Sequence, residues 1–219
     1  MDALESGSTI VVKRESKETR IVAELSISPG NEGIVDLRTG IGFLDHMLAA
    51  LAHHSGWSLR LECEGDLDVD DHHSVEDTAI VLGTALKEAT ATRSGIRRFG
   101  SAYAPLDEAL ARAVVDFSSR PWAEISLDLS GPTIGGLACE NLGHFLSSFA
   151  LSSGICLHVD VLKGSNDHHK AEAAFKALAL ALREALEAAP AGYPGRGTST
   201  KGKPELSISW KKDSAKEQP

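Results

Sequence analysis

The chain has little that would suit it to an oxidising or membrane setting. Its three cysteines, Cys63, Cys139 and Cys156, are scattered and form no C-x-x-C pair. That argues for a reducing compartment and against a disulfide framework. No apolar run is long enough to span a bilayer. The opening Met1-Asp2-Ala3-Leu4-Glu5 lacks the basic and apolar regions of a secretory signal, so cytoplasmic residence is the expectation. Positive charge is also short: 22 Lys and Arg stand against 31 Asp and Glu, a net charge of −9. General nucleic-acid binding is therefore not expected, and an anionic substrate needs a local basic cluster. No Gly-rich loop sits at a strand-to-helix junction, which argues against a nucleotide cofactor. The 42% hydrophobic and 24% charged content is ordinary for a globular protein. A length of 219 residues allows one large domain or two fused small ones.

What the chain does have is a doubled motif. Asp71-His72-His73-Ser74-Val75-Glu76 returns as Asp167-His168-His169-Lys170-Ala171-Glu172. Each copy follows another histidine at nearly equal distance, His46 and His144. On a helix, His72 and Glu76 or His73 and Glu76 can share a face, and an imidazole with a carboxylate can grip one divalent cation. Adjacent histidines diverge by about 100° around a helix. Each doublet therefore suits two different metals, one held with its own glutamate and one elsewhere. Imidazole plus carboxylate without thiolate suits manganese, iron or zinc.

The motifs sit in a repeating order of elements. Thr9 to Arg14, Thr19 to Ile27 and Gly33 to Leu37 read as strands. Phe43 to His53 reads as a helix with Leu44, Met47, Leu48 and Leu51 along one side, and Trp57 to Glu64 as a strand. A helix follows from His72 to about Thr92, with Asp71 as its expected cap. The second half gives strands at Leu110 to Phe117 and Ala123 to Leu129, a helix at Asn141 to Ser152, a strand at Ile155 to Leu162 and a helix from His168 to Ala188. His46 through Leu59 aligns without a gap on His144 through Leu157. Duplication is the economical explanation: an α+β fold of two halves, 1–97 and 98–190, each a small sheet plus two helices. A loop-like tail, 191–219, completes the chain.

Gly40-Ile41-Gly42-Phe43-Leu44-Asp45-His46-Met47, the two D-H-H elements with Glu76-Asp77 and Glu172, Pro105-Leu106-Asp107-Glu108-Ala109-Leu110 and Ser199-Thr200-Lys201-Gly202 together resemble the imidazoleglycerol-phosphate dehydratase family of histidine biosynthesis. The likeness runs from about Thr9 to Gly202, and the segment after it departs from the usual short ending. The resemblance implies paired helices sandwiched between two four-stranded sheets, a ribosomal S5 domain 2-like topology. It also implies a homo-oligomer, a 24-mer, built around two Mn²⁺ per active site (iron or zinc as alternatives) with sites shared between subunits. Its metal ligands would be His46, His72, His73, Glu76, His144, His168, His169 and Glu172. Glu18 would contact the substrate hydroxyls as acid or base. Arg98, Arg120, Lys176, Ser199 and Lys201 would form the phosphate site, with Arg97 as a neighbour, and the tail would supply a phosphate-binding loop. Asp107 and Glu108 are open between proton transfer and simple capping.

The implied substrate is a small phosphorylated imidazole diol, dehydrated through a metal-bound imidazolate. Two metals flanking one flat ring would match two half-sites, one from each repeat. Two rivals stay open at this point. One is a dinuclear metal phosphohydrolase, since such sites also activate water. The other is a metal-storage shell, which leaves the basic set without purpose.

Overall fold

In the computed structural model, which describes residues 9–28, 33–91 and 95–192, the alternating segments pair as sheets. Ser199, Lys201 and the rest of the tail from residue 193 lie outside the described residues. Strands β1 (Ile10–Glu15), β2 (Thr19–Ser26), β3 (Val35–Arg38) and β4 (Ser58–Gly65) form one sheet in the order β1-β2-β4-β3. Strands β5 (Phe99–Leu106), β6 (Ala109–Asp116), β7 (Trp122–Ser126) and β10 (Cys156–Lys163) form a second in the order β5-β6-β10-β7. The two orders match position for position. In each, the third strand runs parallel to the fourth and the other neighbours are antiparallel. The duplication is thus a property of the fold as well as the sequence.

Four helices lie between the sheets. They are α1 (Gly42–Ser55), α2 (His72–Ala91), α3 (Cys139–Ser153) and α4 (Asp167–Leu186). The α1 stripe Leu44, Met47, Leu48 and Leu51 is fully buried, as its spacing requires. Helices α1 and α3 both end at a left-handed glycine, Gly56 (φ 75°) and Gly154 (φ 72°), which occupy the same place in the repeat. The helices pair across the halves: α1 packs on α4 and α2 on α3. Gly83 permits the second crossing, since a Cβ there would lie 2.7 Å from the Phe149 carbonyl oxygen.

Three features differ from the sequence expectation. Phe99–Leu106 is a strand, although Gly100 and Pro105 weaken its β pattern. It survives as a sheet edge, where proline costs no ladder bond. A Cβ on Gly100 would collide with the α4 backbone at Ala181 and Ala185, so the glycine lets helix and strand approach. Second, β7 stops at Ser126. The chain then runs through a small hairpin, β8 (Thr133–Ile134) and β9 (Leu137–Ala138), turned by Gly135 and Gly136 at φ 55° and 83°. Third, the Asp71 side chain does not cap α2: Asp70 accepts the His72 N–H instead (2.8 Å). At α4 the capping acceptor is Asn166, which takes the His168 and His169 N–H groups.

Candidate active site

The crossed helix pairing decides which histidines meet. His46 on α1 lies 3.0 Å from Glu172 on α4, and His168 lies 3.3 Å from the same carboxylate oxygen. His144 on α3 lies 3.2 Å from Glu76 on α2, with His72 at 3.8 Å and stacked on the His144 ring. Each trio places its donor atoms within 4.8 Å of one another. Each cradle therefore mixes both repeats, whereas the sequence suggested one half-site per repeat. In both, the glutamate serves the first histidine of its doublet, the i,i+4 partner.

Second histidines point elsewhere. His73 Nδ1 meets Asp66 at 3.0 Å, and His169 Nδ1 meets Glu108 at 2.7 Å. Donating a hydrogen bond to the Asp66 carboxylate raises the His73 pKa, and donating one to Glu108 raises that of His169. The same bond, with the Asn166 and Ser165 N–H groups, holds the Glu108 carboxyl far below its usual range. A carboxylate behind Nδ1 fixes the tautomer and leaves the Nε2 lone pair facing outward, the usual support of a metal-binding imidazole. Glu18 sits in the β1–β2 turn, half exposed, 3.9 Å from His73 Nε2. Asp107 occupies the matching turn of the second half, 3.7 Å from His169 Nε2.

Lys176 lies beside the cradle of His46, His168 and Glu172, 2.6 Å from Glu172. Burial pushes the Glu172 carboxyl up, but Lys176 and His46 outweigh it and hold its pKa at about 2. Glu172 is thus ionised throughout the neutral range.

The other described residues of the expected phosphate site, Arg98 and Arg120, stand apart from this cradle. Arg98 immediately precedes β5, its guanidinium held by Asp116 at 2.7 Å and its N–H bonded to the Ala185 carbonyl near the end of α4. Arg97 beside it pairs with Glu184 and Glu187. Arg120 is exposed in the turn after β6, near the same end, because the Phe117 N–H donates to the Arg98 carbonyl. On α4, Glu172 and His168 lie 13 and 17 residues before Ala185, roughly 20 and 25 Å along the helix axis. Sequence reasoning missed Asp66, Asn141 and Phe43, which contact the motif histidines. Asp66 had a signal in the acidic loop before Asp71 and Phe43 lies within the Gly40–Met47 motif, but Asn141 had none.

The fold has close counterparts among solved dehydratases. An imidazoleglycerol-phosphate dehydratase from Staphylococcus aureus superposes with a TM-score of 0.75 at 35% identity, covering 83% of this chain and 99% of that one. The Pyrococcus furiosus enzyme, solved with (S)-C348, gives 0.72 at 36% identity, covering 87% and 99%. These define a duplicated α+β lyase. The sequence narrows it further. The family model described as imidazoleglycerol-phosphate dehydratase matches residues 39–182. The Kluyveromyces lactis enzyme of that name is 61% identical over 153 residues, 70% of this chain and 69% of the relative. The Saccharomyces cerevisiae enzyme is 57% identical over 169 residues, 77% and 76%. The chain belongs to the imidazoleglycerol-phosphate dehydratase family. It is a hydro-lyase of histidine biosynthesis, taking water from D-erythro-imidazole-glycerol phosphate to give imidazole-acetol phosphate. The phosphohydrolase and storage-shell alternatives fall with that assignment. Among the described residues no helix is long and apolar enough to cross a membrane.

Proposed function

We propose that this dehydratase works with two Mn²⁺ ions, iron or zinc being the alternatives, one in each cradle. The observation that carries this reading is His144 Nε2. It is buried, and although it lies 3.2 Å from Glu76 it makes no hydrogen bond among the described residues. An unpartnered buried imidazole nitrogen costs free energy unless a cation takes its lone pair. The donor set of two imidazoles and a carboxylate fits such a cation.

The chemistry asks for this help. The proton lost in dehydration sits on a carbon with no adjacent carbonyl, so only the substrate ring can accept the electron pair. Cations bound in the cradles would supply Lewis-acid polarisation of that ring. The remaining work falls to the chain. Glu172, held ionised by Lys176 and His46, keeps its cradle ready for a positive charge. Glu18 in its exposed turn exchanges a proton with the substrate hydroxyls. Lys176 turns from Glu172 toward the phosphate, and Arg98, Arg120, Ser199 and Lys201 complete the anion site.

The working unit is a cytoplasmic homo-oligomer of the 24-mer type, with sites shared between chains. Two features support sharing. Arg98 is tied to Ala185, roughly 20–25 Å along α4 from Glu172 and His168 of its own chain, and Arg120 follows the turn bonded to it. His73 and His169 belong to neither trio yet present supported Nε2 atoms, 32% and 28% exposed as side chains. A neighbour's cradle gives each a use.

The test is turnover. Protein stripped by a chelator is given imidazole-glycerol phosphate with and without Mn²⁺, and the enolised ketone product is followed by absorbance. The expected result is no product until Mn²⁺ returns. Undiminished turnover after complete removal of transition metals contradicts the proposal.

A further inference from the structure

We propose that Asn141 is a positioning residue that locks His72 in the tautomer able to hold a cation, and that this makes the two cradles unequal. The inference rests on the metal reading above.

A chain of three hydrogen bonds forces the tautomer. The Asp71 carboxylate can only accept. It takes the Ala138 N–H (2.7 Å) and one N–H of the Asn141 amide (2.9 Å). The amide nitrogen therefore faces Asp71, and the amide oxygen must face the other way, toward His72 Nδ1 at 3.1 Å. An oxygen can only accept, so Nδ1 carries the hydrogen. His72 Nε2 is left with its lone pair, on the side of Glu76 and His144. Asn141 is 4% exposed, so water does not compete for the arrangement. A neutral imidazole held this way needs no proton transfer and no ring flip to receive a cation.

The second cradle, that of His46, His168 and Glu172, lacks this relay among the described residues; the first is that of His72, Glu76 and His144. The gapless repeat that sets His46 on His144 sets Phe43 on Asn141. Phe43 lays its ring against the edge of His168, with centroids 5.0 Å apart. A phenyl ring positions the imidazole but has no oxygen with which to choose its tautomer. The counterpart of Asp71, Asp167, is turned to Ser130 and Gly131 instead. The glutamates differ as well: Glu172 has Lys176 one turn on, where α2 has Ile80. A cation in the first cradle meets a preset histidine and a carboxylate that, among the described residues, no lysine or arginine contacts directly, Arg14 being engaged by Asp77. In the second it competes with an ammonium group. The first cradle is therefore the tighter one.

The experiment titrates chelator-stripped full-length protein with Mn²⁺ alone and counts free Mn²⁺ by electron paramagnetic resonance. The wild type is expected to show two classes of site per chain. Asn141→Leu, close in volume, is expected to weaken the tighter class by about tenfold and leave the weaker class unchanged. The double variant Asp71→Asn with Asn141→Asp exchanges amide and carboxylate but keeps an acceptor facing His72, so it is expected to restore the tighter class. If Asn141→Leu does not fold, the double variant decides alone, retained tight binding supporting the relay and its loss overturning it. Asn141→Leu binding both ions as the wild type does, or losing both classes equally, also overturns it. Wild-type protein that binds no Mn²⁺ fails the underlying metal reading instead.

Discussion

Asp71 and Asp167, the opening residues of the two motif copies, hold opposite ends of one loop. The Asp167 carboxylate accepts the N–H groups of Ser130 (3.0 Å) and Gly131 (2.6 Å), and that of Asp71 accepts the Ala138 N–H (2.7 Å). Between them the β8–β9 hairpin passes close to Phe43, with Gly135 in contact range of its side chain. The starts of both D-H-H helices are thus tied to the same strap. The motif aspartates set where the histidines stand without joining either cradle.

An acid titration tests the Asp167 tie. The Gly131 N–H is the main influence holding the Asp167 carboxyl below its ordinary range, against the opposing effect of burial. A depressed folded pKa contributes stability above the unfolded value, about 4, and that contribution is lost as pH falls through the folded value. Asp167→Asn should lower the stability of metal-free protein by roughly 1–3 kcal/mol at neutral pH. Its unfolding curve should also flatten on the acid side. Denaturant midpoints measured from pH 7 downward would show both effects. Parallel acid limbs for the two proteins would contradict the account.

Gly83→Ala tests the helix crossing. The new methyl would lie 2.7 Å from the Phe149 carbonyl and 2.9 Å from the Ser152 Cβ, so α2 and α3 must separate. Overpacking of this kind costs roughly 1–3 kcal/mol. Because this pair also carries His72, Glu76 and His144, the variant should lose Mn²⁺ affinity in that cradle and keep it in the other. Thermal melting and a Mn²⁺ titration on the same sample read both outcomes.

Mixed assemblies test sharing between chains. Arg98→Ala and His168→Ala should each lower activity by roughly two orders of magnitude. Reassembled together, they should regain activity well above either alone, because a site can draw its cradle from one chain and its arginine from another. Activity no higher than the two parents would mean that each site is made within one chain.

Much of this architecture was legible in the sequence, for a stated reason. The α1 stripe and the α2 and α4 helices follow from local periodicity and turn chemistry. The repeat fixed the duplication because one alignment covered His46 to Leu59 and His144 to Leu157. What stayed hidden depends on long-range packing. Phe99–Leu106 reads poorly as a strand because Gly100 answers to α4 rather than to β propensity. The crossing of His46 to Glu172 and of His144 to Glu76 could not be read either. Both motifs look self-sufficient along the chain, and only the α1–α4 and α2–α3 pairing exchanges their third ligand. Asn141 was invisible for the same reason, since its two partners lie on the neighbouring helix and its lead-in.

The most direct test removes one upstream histidine at a time. His46→Ala leaves the D-H-H motif of α4 intact but takes a donor from its cradle; His144→Ala does the same to the cradle of α2. Bound Mn²⁺ per chain, counted on stripped and refilled protein, should fall from two to one in each variant, with dehydration lost in both. Two ions retained in either variant, or full turnover by wild-type protein that holds none, would contradict the central claim.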